Sequence, residues 1–405
     1  PNSKTWRIVA MASTSISCAQ ERRNWTEPGV SSGLCTLFLD DQKGNSSRPQ
    51  LPPALYQVIA SFLHFDEPLP GQLYAMGGRA RDGALAAVEM FDTWHGEWVG
   101  CPRMAHRRAG CAGAALPDGR LLVTGGYDEL GHIEGTLATC EVFDPKAQKW
   151  APFPSLTFGR WGHGCVHLRG LVYVVGGCFL PEGRPLLEDF EETMRGCEVY
   201  DPSTGVWSKA AELNVARAGA RVVALDDRCL LAFGGCDGTS AVASVELYDP
   251  AINRWSLLST EMLSERGAAA CSALDGERVL VAGGYPALSS AEIFSVPVDE
   301  SASVELETES AATQQARDMT VGRLGGQAAT IYLPAFDGEF PFCDRSCVVI
   351  AGGEGEEPDE QLFVDTLVYD VSDDEWRPEG SFPRLPTPRT AMALIVGPGK
   401  VYGHP

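Results

Sequence analysis

Short apolar runs recur along the chain, and six of them stop at a pair of glycines. The runs read LYAM, LLVT, VYVV, LLAF, VLVA and CVVIA, ahead of Gly77-Gly78, Gly125-Gly126, Gly176-Gly177, Gly234-Gly235, Gly283-Gly284 and Gly352-Gly353. Continuous apolar runs of this length predict strands buried on both faces. Each pair is followed by a variable loop and a second run: VEMFD, CEVFD, CEVYD, VELYD, AEIFS and TLVYD. Five of these six end in Asp, and a tryptophan lies six residues further on, at Trp98, Trp150, Trp207, Trp255 and Trp376. That spacing predicts a hairpin with a polar turn whose far strand carries a large aromatic to fill the wedge between neighbouring units. A further strand opened by an arginine precedes the Gly-Gly runs, with Arg108, Arg160, Arg217, Arg266, Arg323 and Arg389 in that place.

The glycine pairs are spaced by 48, 51, 58, 49 and 69 residues. Periods near 50 with strand-type sequence point to the blades of a β-propeller rather than to helical repeats. The first Gly-Gly strand has no arginine-led strand before it, and the run from Arg389 to Val396 has no Gly-Gly strand after it. Each supplies what the other lacks. The last strand is therefore expected to pair into the first blade, giving six blades of four antiparallel strands without an open edge.

These residues resemble the kelch repeat, over about residues 71–397. The resemblance implies a propeller that binds other proteins, as in BTB-kelch and F-box-kelch substrate adaptors of cullin-RING ubiquitin ligases. It also implies that arginines at the Arg-x-Gly position contact acidic peptide ligands. Arg108, Arg160, Arg217 and Arg323 keep that form, while Arg266 and Arg389 depart from it. The expected partner-binding set is these six arginines with Tyr127 and Tyr285, each placed directly after a glycine pair. A ring of guanidinium groups could grip carboxylates bidentately. The alternative is an arginine paired with carboxylates or carbonyls of its own repeat.

Three places break the period. In blade five Phe294-Ser295 replaces aromatic-Asp and no tryptophan follows, so the outer strand is expected from Val304 to Leu306, or poorly formed. In blade six AFDGEFPFCD at 335–344 puts Phe336, Phe340 and Phe342 in a connection, either tucked against a blade edge or serving as a docking site for a larger assembly. Blade three carries a long loop from Cys178 to Met194, the kind of segment in which propellers place specificity.

Residues 1–50 are Ser- and Gly-rich and read as a linker-like extension. Residues 51–70 contain LPPALYQVIASFL, whose apolar spacing fits a short amphipathic helix. It resembles the opening of an F-box at a fraction of the length; the other reading is a helix packed on the propeller, which occupies 71–405.

The chain has 405 residues and a formal net charge of −22. Residues 1–70 hold 6 basic and 6 acidic side chains, so the whole excess falls on the repeats. Such a charge argues against nucleic acid as partner, because phosphate binding draws on clustered Lys and Arg. No run approaches the roughly 20 apolar residues of a membrane helix, and a cytoplasmic or nuclear address is expected. The 13 cysteines show no disulfide-framework spacing, and several lie inside apolar runs.

Some kelch propellers are enzymes, galactose-oxidase-like copper proteins and sialic-acid epimerases among them. A copper site needs paired histidines with tyrosine. His163 and His167 share one strand, with His106 and His132 in loops, and no copper motif surrounds them. Cys343 and Cys347 give two zinc ligands where a structural site takes four. No catalytic residue, metal site or cofactor is expected, and a carbohydrate-acting propeller is kept as the rival reading.

Overall fold

A computed structural model describes residues 71–93, 96–130, 135–179, 192–296, 311–332, 346–355 and 361–397. Among these residues lie six four-stranded antiparallel sheets and three two-stranded ribbons. Blade two shows the plan: innermost strand Ala112–Ala115, then Leu121–Thr124, Cys140–Asp144, and outermost Lys149–Phe153. The second and third strands are buried almost throughout, as their unbroken apolar composition requires.

Closure is as the sequence predicts. Ala393–Gly397 pairs with Gln72–Met76, with Val396 opposite Leu73 and Ala393 opposite Met76, so the C-terminal strand becomes the innermost strand of blade one. The six innermost strands then neighbour one another in a ring, and hydrophobic clusters fill each interface between adjacent blades. The core is thus six wedges rather than one centre.

A second ring, made of backbone, runs inside the first. The residue two positions after each arginine donates its amide to the matching carbonyl of the neighbouring blade. Gly162 donates to Gly110 at 2.8 Å, Gly219 to Gly162 at 2.7 Å and Ala268 to Gly219 at 3.0 Å. Gly325 donates to Ala268 at 2.9 Å, Ala391 to Gly325 at 3.1 Å, and Gly110 to Ala391 at 2.8 Å, which completes the circle. All six residues have positive φ. That conformation costs an L-residue roughly 1–2 kcal/mol and a glycine almost nothing, which accounts for glycine at four of the six places.

The glycine pairs also serve the blade interface. The second glycine donates to the carbonyl of the next arginine, as Gly126 does to Arg160 at 2.8 Å. A Cβ on the first would meet that same carbonyl oxygen, at 2.5 Å in the case of Gly125. Two backbones touch here, and there is no volume for a side chain.

The tryptophans sit on the outermost strands opposite the aromatic of the third strand, Trp150 facing Phe143 with ring centroids 5.1 Å apart. Trp98, Trp150, Trp207 and Trp376 each donate their indole N–H to a carbonyl, of Pro383, Pro102, Pro154 and Arg317 respectively, on the connection arriving from the previous blade. The wedge-filling role thus includes a hydrogen bond that the spacing alone did not suggest.

Blade five corrects an expectation. Its outer strand is Ala312–Gln315, pairing with Ala291–Ser295, rather than Val304 to Leu306. The segment ATQQ carries no apolar alternation. It is defined by its partner strand, with Thr313 standing opposite Phe294 where the other blades place tryptophan.

Residues 1–70, and with them the linker-like extension and the F-box-like helix, lie outside the described residues, as do Phe336, Phe340 and Phe342. The ten described cysteines are free thiols. Among the described residues no helix is long and apolar enough to cross a membrane.

Candidate functional site

Strand order fixes which segments share a face. The loops after each glycine pair and the connections from an outermost strand to the next innermost strand emerge on one side of the ring. The turns of the outer hairpins emerge on the other. All six arginines, Tyr127 and Tyr285 belong to the first side.

The guanidinium groups do not form an accessible rim. Arg108, Arg160, Arg217, Arg266, Arg323 and Arg389 are each at most 1% exposed. Five of them turn inward onto a glutamate at the second position of the third strand of their own blade. Arg108 meets Glu141 at 3.0 Å, Arg160 meets Glu198 at 2.6 Å, Arg217 meets Glu246 at 3.0 Å, Arg266 meets Glu292 at 2.8 Å, and Arg389 pairs with Glu89. Their Nη1 groups donate to the carbonyl of the first glycine of the pair, as Arg108 does to Gly125 at 2.8 Å. Internal pairing is therefore the arrangement seen. The physical reason is that a buried guanidinium needs a carboxylate and carbonyls close at hand, and the blade supplies both.

The glutamates also hold the incoming connection. Glu141 accepts from the amides of Ala105 at 2.7 Å and His106 at 3.1 Å, and Glu246 from those of Asn214 at 2.7 Å and Val215 at 3.0 Å. Burial works against the charged form of Glu141, but the Ala105 amide and the Arg108 guanidinium outweigh it and hold its carboxyl below the usual range. One carboxylate thus ties an arginine to the loop that leads into it. The sequence showed the recurring acidic position; it did not show what it was for.

Blade six departs from this. Leu367 occupies the position of the glutamate, and among the described residues Arg323 has no carboxylate hydrogen-bonded to it. Its Nη1 donates to the carbonyls of Gly352 and Asp365, both at 3.0 Å, and its guanidinium carbon lies 4.7 Å from the centre of the Phe363 ring. A second arginine without a carboxylate, Arg221, lies near the axis. Its Nε donates to the carbonyl of Ala269 at 2.5 Å and its Nη2 to that of Gly326 at 3.4 Å, so it bridges blades four, five and six.

Exposed on the loop-bearing face are apolar and aromatic side chains, most of which no spacing rule would single out. Leu130, Phe158, Leu263 and Tyr285 are all at least half exposed and belong to loops or connections of blades two to five. Tyr285 is thus the one exposed residue of the expected partner-binding set. Tyr127 is half-buried, its ring edge-on to Trp161 with centroids 5.9 Å apart. His163, offered as half of a metal pair, is buried with its Nε2 2.8 Å from Thr124 Oγ1, and burial, then the charges of Arg160 and Arg108, push it down to about 3. Among the described residues no group of three or more His, Cys, Asp or Glu side chains is placed to hold a metal ion.

A closed, six-bladed propeller with a buried arginine–glutamate pair in five of its blades defines the class. Residues 69–105, 108–157, 160–214 and 216–260 match the Kelch motif family, so the first four blades are kelch repeats. The match covers the first four blades and stops before blades five and six, which carry the lost tryptophan and the lost glutamate. Kelch-like protein 15 of Danio rerio is 28% identical over 202 residues, covering 45% of this chain and 32% of the relative. The kelch repeat and BTB domain-containing protein F47D12.7 of Caenorhabditis elegans is 25% identical over 236 residues, covering 56% and 37%. The chain thus spans about a third of the length of the curated relatives it matches. Among solved structures, YjhT superposes with a TM-score of 0.54 at 17% identity, covering 77% of this chain and 98% of the other, a likeness of fold.

Proposed function

We propose that this propeller holds a partner protein on its loop-bearing face. The observation that carries the reading is the grouping of Leu130, Phe158, Leu263 and Tyr285 on that face, exposed and spread over consecutive blades. Interfaces draw most of their affinity from a few apolar and aromatic anchors, and loops on a rigid scaffold are where proteins place recognition. The buried arginines contribute by fixing those loops rather than by touching the partner.

Within this reading the module is the substrate-recognition half of a cullin-RING ubiquitin-ligase adaptor. Resemblance to BTB-kelch and F-box-kelch proteins supports that role, as does the BTB domain in the name of the nematode relative. The full-length product, affinity-purified and analysed by mass spectrometry, is then expected to bring down a cullin or Skp1-type subunit together with a substrate. The triple substitution Leu130→Ser, Phe158→Ser and Tyr285→Ser is expected to lower substrate recovery at least tenfold without shifting the melting temperature. Ile252→Ser, in a turn on the opposite face and likewise exposed, is expected to leave recovery unchanged. Loss of the substrate with Ile252→Ser alone would move the site to the other face.

A further inference from the structure

Blade six retains the arginine and the two amide positions that face the glutamate in the other blades, but not the glutamate. The Nε and Nη2 groups of Arg323 are buried and have no hydrogen-bond partner. In blade two the equivalent Nε and Nη2 both reach the Glu141 carboxylate, at 3.1 and 3.0 Å. The connection into blade six presents Thr320 and Val321 where Ala105 and His106 give their amides to Glu141. Among the described residues neither of those two amides has an acceptor. Leucine ends one bond short of where carboxylate oxygens sit, so Leu367 brings no acceptor to the Arg323 Nε and Nη2.

Among the described residues Asp365 and Glu379 contribute favourable charge from a distance, but no carboxylate hydrogen-bonds the Arg323 Nε or Nη2. The Phe363 ring covers one face of the guanidinium, but N–H bonds lie in the guanidinium plane and gain no acceptor from a ring stacked on it. The Asp365 carboxylate is paired with Arg384, its Oδ1 2.8 Å from Arg384 Nε. Burial pushes Arg323 down to about 10, only partly offset by the charges of Asp365 and Glu379.

We propose that blade six takes a small monovalent anion from solution in place of the missing glutamate, held by Nε and Nη2 of Arg323 and the amides of Thr320 and Val321. Two parallel guanidinium donors and two convergent amides are the donor set that binds chloride or a small carboxylate. A ligand that binds the folded chain alone raises its stability in proportion to the logarithm of its concentration.

The test is thermal unfolding at fixed ionic strength, with sodium chloride replacing sodium methanesulfonate. The melting temperature of the unaltered protein is expected to rise by about 2 °C or more per tenfold increase in chloride once the site begins to fill. Leu367→Glu restores the internal carboxylate and is expected to raise the melting temperature and abolish the chloride slope. Arg323→Met removes the charge and is expected to abolish the slope even if it lowers stability. Asp365→Ala is expected to keep the slope. A flat response in the unaltered protein would mean that no anion binds, and a slope surviving Leu367→Glu or Arg323→Met would place the anion elsewhere; either result overturns the proposal.

Discussion

Glu89 and Arg389, separated by 300 positions in the chain, form the ion pair that joins the first-made blade to the last-made strand. Both side chains are almost fully buried, and Thr387 donates its hydroxyl to the same carboxylate at 3.0 Å. Removing one member of a buried pair leaves an uncompensated charge, a loss of about 3–5 kcal/mol. Glu89→Gln is expected to lower the urea midpoint accordingly. Replacing both partners by Leu and Met should recover much of the deficit, which a double-mutant cycle measures.

Glycine pairs offer a cleaner separation of strain from contact. Gly125 and Gly96 both have positive φ, but a Cβ at Gly125 meets the Arg160 carbonyl at 2.5 Å, whereas one at Gly96 meets nothing within 4 Å. Gly96→Ala is expected to cost about 1 kcal/mol from backbone conformation alone. Gly125→Ala should cost at least about 3 kcal/mol, because the blades must part to admit it. Equal losses in chemical denaturation would show that close approach is not what selects the pair.

The axial hydrogen-bond ring contains two residues in the wrong chemical type. Ala268 and Ala391 adopt φ of 53° and 51° where the other four positions are glycine. Ala268→Gly and Ala391→Gly are each expected to stabilise the protein by about 0.5–1 kcal/mol, the relief of left-handed strain less the entropy that glycine adds to the unfolded chain. Denaturation midpoints of the two single variants and the double variant check this.

His163 ties stability to pH. Its folded value of about 3 lies below the ordinary histidine value, so the unfolded chain binds a proton that the folded one refuses. The contribution is fully present above about pH 6.5 and is lost as pH falls towards 3, at about 1.4 kcal/mol per pH unit. Unfolding of His163→Asn followed from pH 7 to pH 4 should show a slope shallower by that amount than the parent.

The thiols divide by accessibility. Burial pushes Cys165, Cys197 and Cys271 up to about 12 and Cys140 and Cys229 to about 11, so they stay protonated and unreactive in the native state. Cys101 and Cys236, like Cys165, are half-buried, but the Cys165 thiol is held protonated as above. Brief alkylation of the native protein is expected to label Cys101 and Cys236 first among the described cysteines, as peptide mapping would reveal.

Blade number, strand order and closure were legible because they depend on a repeated spacing, and six copies of Gly-Gly left little freedom. The arginine–glutamate pairs were half legible. Both residues recur, but the loop between them varies in length, so no fixed interval links Arg160 to Glu198 as tightly as it links Asp201 to Trp207. The inward turn of each arginine follows from burial, which spacing does not report. The outer strand of blade five escaped because its place is set by the edge of Ala291–Ser295, whereas ATQQ offers no pattern of its own. Exposed Phe158 and Leu130 look in sequence like any other apolar residue, and only the ring shows which way they face.

The pairing of Gln72–Met76 with Ala393–Gly397 also has a meaning in time. On the ribosome the first blade is begun before any other and cannot be finished until the final strand has emerged, tens of seconds later at about 5–20 residues per second. Through that interval the edge of Gln72–Met76 is an unsatisfied template, open to a strand from a neighbouring chain. The nascent protein is therefore most exposed to mispairing and to chaperone capture at the blade whose synthesis starts earliest.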